Sequence, residues 1–171
     1  AFTKAHKQFI DKRIERLSQD ETILRKAKII AINPSDTALD SLSHTIYQTL
    51  LEAHQSHYQT DGKHCISLGV IRFANINPLV AVAEQLIAKD NPDNYCIHYC
   101  VYHSQFTLAS RSAIEERLDR LLNRKQAENI WQQPEIHSAI SKNPSAKHHI
   151  FVVLATSVCE VGRDHDYDWA I

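Results

Sequence analysis

The chain has 171 residues and a mass of 19.6 kDa, with 43% hydrophobic and 23% charged residues, proportions that suit one domain with a substantial core and exclude a disordered or low-complexity protein. Its formal charge of -1 excludes a strongly basic nucleic-acid-binding module, although a cleft shared with a second domain can be positive while one half is neutral. No apolar run approaches the roughly 20 residues of a membrane span, and Ala1 to Ile10 lacks the basic flank, apolar run and small-residue cleavage site of a secretory leader, so the sequence reads as cytoplasmic.

In chain order, residues 1–60 read as helical. Phe2, His6, Phe9, Ile10, Ile14 and Leu17 recur at helical spacing, and Ser18-Gln-Asp-Glu21 has the form of a capping box ahead of Ile23, Leu24 and Ala27. Asn33-Pro34-Ser35-Asp36 breaks the chain, and Leu39, Leu42, Ile46, Leu50 and Ala53 mark a third helix reaching about His57. After the turn Asp61-Gly62-Lys63 the period changes, and Cys65 to Phe73 reads as a strand. Asn77 and Pro78 supply an N-cap and a first-turn proline, predicting a helix from Pro78 to about Lys89 that buries Leu79, Val82, Ala83 and Leu86.

A second strand runs from Tyr95 to Tyr102. Ile114, Leu118, Leu121 and Leu122 then give a helix its apolar face, with Glu116 and Arg120 paired one turn apart. Trp131 and Pro134 lie in a turn, followed by a short helix near Ile136 to Ile140 and a second turn at Asn143-Pro144-Ser145. The β-branched run from His149 ends in Thr156 as a third, buried strand, and Asp168-Trp-Ala-Ile171 begins a fourth. Strands alternating with helix-length crossovers imply a parallel sheet with flanking helices.

The four cysteines read as small core residues: Cys96 and Cys100 share a strand face about 13 Å apart and cannot bridge. Of the eleven histidines, no two are four apart, as ligands one helical turn apart would be, and His148 and His149 should face opposite sides of their strand. No metal site is expected from that spacing.

Ligands of such sheets bind outside the carboxyl ends of the strands. Those ends are Arg72-Phe-Ala-Asn75, His103-Ser104 and Thr156-Ser157, three polar stretches that the topology brings to one edge. The only glycines are Gly62, Gly69 and Gly162, so neither a phosphate-binding G-x-x-x-x-G-K-[ST] loop nor a G-x-G-x-x-G fingerprint can form. At most, the chain supplies one wall of a nucleotide cleft.

Three stretches carry a resemblance: Ser67-Leu-Gly-Val-Ile-Arg-Phe-Ala-Asn-Ile-Asn-Pro-Leu-Val80, Val101-Tyr-His-Ser-Gln-Phe-Thr-Leu-Ala-Ser-Arg-Ser-Ala-Ile-Glu115 and Phe151-Val-Val-Leu-Ala-Thr-Ser-Val-Cys-Glu-Val-Gly-Arg-Asp-His-Asp-Tyr-Asp-Trp-Ala-Ile171. In the last, Ala-Thr-x3-Glu-x-Gly-x-Asp resembles the fifth motif of superfamily-two helicases. Together they resemble the second RecA-like domain of the CRISPR-associated helicase-nuclease, most closely its type I-F branch, whose members carry a fused spacer-integration subunit. Residues 61–171 then correspond to that domain, cut before its sixth motif, and residues 1–60 to a helical lead-in.

The resemblance implies that Thr156 contacts the tracking DNA strand and that Gly162 and Asp164 lie on the nucleotide side of the cleft. Asn75, His103, Ser104 and Arg111 match polar positions of the intervening motifs, on the DNA side. His165-Asp166 lies within the helicase motif and is not the metal motif of the nuclease. The implied parent uses ATP and Mg to move single-stranded DNA toward a nuclease, as a hydrolase of antiviral defence. Its implied partners are the first RecA-like and nuclease domains, an RNA-guided surveillance complex and the spacer-integration complex. The chain alone is expected to be inactive and to hold no cofactor. Two alternatives remain open, a non-catalytic protein-binding module and a domain of another superfamily-two motor; a Gln-x2-Gly-Arg-x2-Arg pattern beyond Ile171 would favour the helicase.

Overall fold

In the computed structural model, residues 2–19, 27–32, 37–122, 127–160 and 165–171 are described. Compactness divides the chain between Ala31 and Ile32. The first unit contains α1 (Phe2–Gln19), which follows the helical spacing of Phe9, Ile10 and Ile14. Of the second helix expected around Ile23, residues 20–26 lie outside the described residues, and residues 27–32 carry no regular structure.

The second unit is a three-layer sandwich. Its sheet is built from β1 (Gln59–Thr60), β2 (Cys65–Arg72), β3 (Tyr95–Tyr102), β4 (His148–Ala155) and β5 (Trp169–Ala170). Along the sheet the order is β1-β2-β4-β3, with β5 also on β2. The β2–β4, β3–β4 and β2–β5 pairs are parallel, as expected, and the β1–β2 pair is antiparallel. β1 was not foreseen in the sequence, because two residues are too few to show a period of two. Asp61 builds its hairpin, accepting from the backbone N–H groups of Lys63 and His64 at 2.8 and 2.7 Å, and Gly62 takes the positive φ of 91° that the turn requires.

One face of the sheet is covered by α2 (Ala38–His57) and α3 (Ile76–Ile87), through Ile46, Tyr47, Leu50, Leu79, Val82, Ala83 and Leu86. Thr37 caps α2 by accepting from Asp40 N at 3.0 Å. The other face is covered by α4 (Leu108–Leu122) and α5 (Pro134–Lys142), through Leu118, Leu121, Leu122 and Ile136, with a 3-10 turn at Ala127–Gln132 between them. Leu50 and Leu79 are fully buried, which stabilises the fold by roughly 1.5–3 kcal/mol for each side chain. Glu116 pairs with Arg120 at 2.9 Å as expected, and Arg120 reaches on to Glu135 of α5 at 2.9 Å.

α3 begins two residues earlier than the sequence suggests, with Asn75 rather than Asn77 as N-cap and Pro78 inside the first turn. The early N–H groups of a helix have no intrahelical acceptor, so a proline anywhere in that turn sacrifices nothing. The apolar positions assigned to this helix are buried all the same.

A buried polar cluster ties β5 and α2 to the sheet. Trp169 Nε1 donates to Ser67 Oγ at 3.1 Å, the same hydroxyl shares a 2.8 Å hydrogen bond with His54 Nδ1, and His54 Nε2 meets His148 Nδ1 at 3.0 Å. Asp168 Oδ2 accepts from Leu68 N at 2.7 Å. The indole lies flat against Gly69, where a Cβ would overlap its ring atoms. Glycine stands in this central strand so that Trp169 can pack on its backbone.

Gly69→Ala should therefore destabilise the domain by about 1–3 kcal/mol, read by urea unfolding, and the penalty should shrink in a Trp169→Leu background because both changes act on one contact. His54 is fully buried, and desolvation first, then the neighbouring His148, pull its pKa down to about 4 against the opposing pull of Asp168. Between pH 6.5 and 4 the unfolded chain binds a proton there that the folded chain refuses, so this contribution is complete above about pH 6.5 and is lost as pH falls toward 4. Melting temperature should fall on acidification from pH 7 to 5, and His54→Gln should flatten that slope.

Candidate functional site

β4 is the centre strand between β2 and β3, and its last residue, Ala155, is in register with Arg72 on one side and Tyr102 on the other. The three strand ends therefore finish at one level. Phe73 N donates to Ala155 O at 2.8 Å and Thr156 N to Tyr102 O at 3.4 Å, so the residues just past each strand remain tied together. This is the convergence expected from the sequence, and it gathers Asn75, His103, Ser104 and Thr156 along one edge.

Asn75 and Ser104 are exposed and His103 is half-buried, whereas Thr156 is only 6% exposed. Thr156 O accepts from Cys159 N at 3.3 Å as the chain turns into a short 3-10 segment, Ser157–Glu160. Asn75 caps α3 with its backbone only; its side chain makes no capping hydrogen bond. The His103 ring stacks on Phe106 with centroids 4.5 Å apart, and its Nδ1 accepts from Gln105 N at 3.3 Å, which fixes the ring within the turn.

Arg111 sits one turn into α4, 3.7 Å from Glu115. Glu115 also accepts from the Tyr102 hydroxyl, so Arg111, Glu115 and the last residue of β3 form one group. Burial and then the Glu115 carboxylate raise the Tyr102 pKa, keeping the phenol a donor. Among the described residues, the buried Arg111 Nε has no hydrogen-bond partner. Gly162 and Asp164 lie outside the described residues. The described flanks of that stretch are anchored: His165 Nε2 meets Asp119 Oδ1 of α4 at 2.8 Å, and Asp166 N donates to Leu122 O at 3.2 Å. His165 thus faces a helix carboxylate.

At the opposite end of the sheet the structure assembles a group that sequence spacing did not reveal. Potential ligand atoms of Cys96, His98 and His149 all lie within 4.8 Å of one another. The search for ligands one helical turn apart misses this trio, because its members are alternate residues of β3 and the β4 residue in register with Cys96. All four cysteines are free thiols. His98 also lines a cavity of about 570 Å3 between the sheet and α4 and α5, shared with Leu68, Arg117, Lys142, Phe151 and Tyr167.

A mostly parallel sheet, helices on both faces and polar strand ends at one edge define the RecA-like α/β class. Residues 65–171 match the family described as CRISPR-associated nuclease/helicase Cas3, C-terminal, and the chain belongs to that family. Over 99% of its length it is 50% identical to a CRISPR-associated nuclease/helicase Cas3 of subtype I-F/YPEST from Pectobacterium atrosepticum. Over its whole length it is 36% identical to the protein of the same description from Pseudomonas aeruginosa. The chain spans 16% of the length of each of these relatives. Among the described residues, no helix is long and apolar enough to cross a membrane.

An N-cap whose side chain bonds the helix loses about 1 kcal/mol on replacement by alanine. Because the Asn75 side chain makes no such bond, Asn75→Ala should cost clearly less, within about 0.5 kcal/mol by urea unfolding, so it can probe ligand contacts without disturbing the fold.

Proposed function

We propose that this chain is the second RecA-like part of an ATP-dependent single-stranded-DNA translocase and nuclease that degrades invading DNA in CRISPR interference. One observation carries the reading: in a member of the Cas3 C-terminal family, three polar strand ends lie at one level of a parallel sheet. The names of the relatives, nuclease/helicase of subtype I-F, support it. The accompanying domain division is a helical lead-in over residues 1–60 and the RecA-like domain over residues 61–171, with α2 packed on the latter.

In this reading Asn75, Ser104, His103 and Arg111 form the DNA-facing edge. The exposed amide and hydroxyl hydrogen-bond the backbone of the strand, and the partly exposed Arg111 guanidinium offers its positive charge to a phosphate. Thr156, being buried, is the floor of that edge. Gly162 and Asp164 belong to the nucleotide side. The residues of this chain do not by themselves fit a nucleotide triphosphate, since three dispersed glycines cannot build a phosphate-binding loop. ATP and its Mg are therefore held chiefly by another RecA-like domain. Single-stranded DNA, the nuclease domain, an RNA-guided surveillance complex and a spacer-integration complex are the partners, in the cytoplasm.

The test is made in the whole protein that carries this chain. Arg111→Ala and Thr156→Ala should reduce DNA stimulation of ATP hydrolysis several-fold while leaving the KM for ATP near that of wild type. Asp164→Ala should lower turnover at unchanged melting temperature. Equal loss of nucleotide affinity and DNA stimulation in the first pair would overturn the DNA assignment. A destabilised Asp164→Ala protein with normal turnover per folded molecule would overturn the nucleotide assignment.

A further inference from the structure

We propose that Cys96, His98 and His149 bind a soft divalent transition-metal ion of the Zn2+ class, at the amino-terminal end of the sheet. Cys96 lies six residues before Tyr102 on β3, so this site is about 20 Å along the strand from the polar edge and is independent of it.

The backbone makes the site. Alternate residues of a strand share a face, so Cys96 and His98 project together, and the parallel register sets His149 of β4 beside Cys96. A thiol and two imidazoles converge on one patch of the pleated surface, their donor atoms within 4.8 Å. His98 Nε2 and His149 Nδ1 are 3.2 Å apart. In a tetrahedral ion with Zn–N bonds of about 2.0–2.1 Å, two nitrogen ligands stand about 3.3 Å apart, so the pair is already at coordination separation.

The outer contacts suit the role. His149 Nε2 lies 3.2 Å from Ala146 O, and donation to that carbonyl places the ring proton on Nε2 and leaves the Nδ1 lone pair facing His98 and Cys96. Metal-bound histidines are commonly oriented by such a bond from their second nitrogen to a carbonyl. The His98 ring packs on Phe151 with centroids 4.5 Å apart, backed by an apolar surface. Thiolate and imidazole are the donors that favour Zn2+ over Mg2+ or Ca2+, which prefer oxygen.

On binding, the ion replaces the hydrogen bond between the two rings. His98 carries its proton on Nδ1 and turns to offer Nε2, His149 keeps its Nε2–H bond to Ala146 O and offers Nδ1, and the Cys96 thiol releases one proton to solvent as the metal–sulfur bond forms. Three protein ligands leave one coordination position for water. The ion would staple β3 to β4 at the end of the sheet remote from the polar edge.

The test uses the whole protein, stripped of metal with a chelator. Titrated with Co2+, the wild type should develop a near-ultraviolet thiolate-to-cobalt band that Zn2+ displaces. Cys96→Ser should lose that band, and His98→Gln should lose at least about tenfold in affinity, since even an outer-shell change at a metal site costs that much. A measurement on the wild type needs no variant to fold: Zn2+ should slow alkylation of Cys96 by iodoacetamide, read by peptide mass spectrometry, while leaving Cys100, also half-buried and on the same strand face, unaffected. No cobalt–thiolate band in the wild type, a band that survives in both variants, or equal protection of Cys96 and Cys100 by Zn2+ would overturn the site.

Discussion

Everything the polar edge can do rests on the parallel register of β4. Because Ala155 is paired with Arg72 and Tyr102 at once, three segments far apart in sequence end at the same height. A slip of one residue in either ladder would turn alternate side chains to the wrong face and stagger the ends. The two cores fix that register from both sides. Ile150, Val152 and Leu154 pack under α2 and α3, while Val153 and Ala155 pack with α4 and α5. With both faces buried, β4 has a single low-energy alignment, and the positions of Asn75, His103 and Thr156 follow from it.

The parts of the fold legible in the sequence are those with long, strongly patterned signals. β3 runs from Tyr95 to Tyr102 as read, since eight β-prone residues between turn formers leave little choice. Leu118, Leu121 and Leu122 are buried as their spacing requires. What escaped the sequence was short or relational. β1 is two residues long, and the start of α3 was misplaced because a proline marks a first turn without saying which position it holds. The His54, Ser67 and Trp169 cluster was invisible because its members come from three elements and meet only after folding.

The candidate site divides in the same way. That polar residues gather at the carboxyl edge followed from topology alone, before any side chain was placed. The tie between Arg111, Glu115 and Tyr102 depends on how α4 settles against β3, which no spacing rule supplies. Thr156 shows what a motif leaves unsaid: its place in the pattern points to a ligand-facing edge, and only the fold shows that it is 6% exposed there. The trio at the far end needs the β3–β4 register itself, and a search confined to one strand or one helix cannot find it.

Trp169 against Gly69 bears on how the connection from β4 to β5 is held. The stretch from Thr156 to Asp168 leaves the end of β4 and finishes where Asp168 and Trp169 grip β2, with His165 and Asp166 moored to α4 in between. Both described flanks of that stretch are secured, one to β3 and β4 and the other to β2 and α4. The connection from β4 to β5 is thus closed between two secured ends, so the entropic cost of ordering it does not fall on β5 alone, a strand of only two residues.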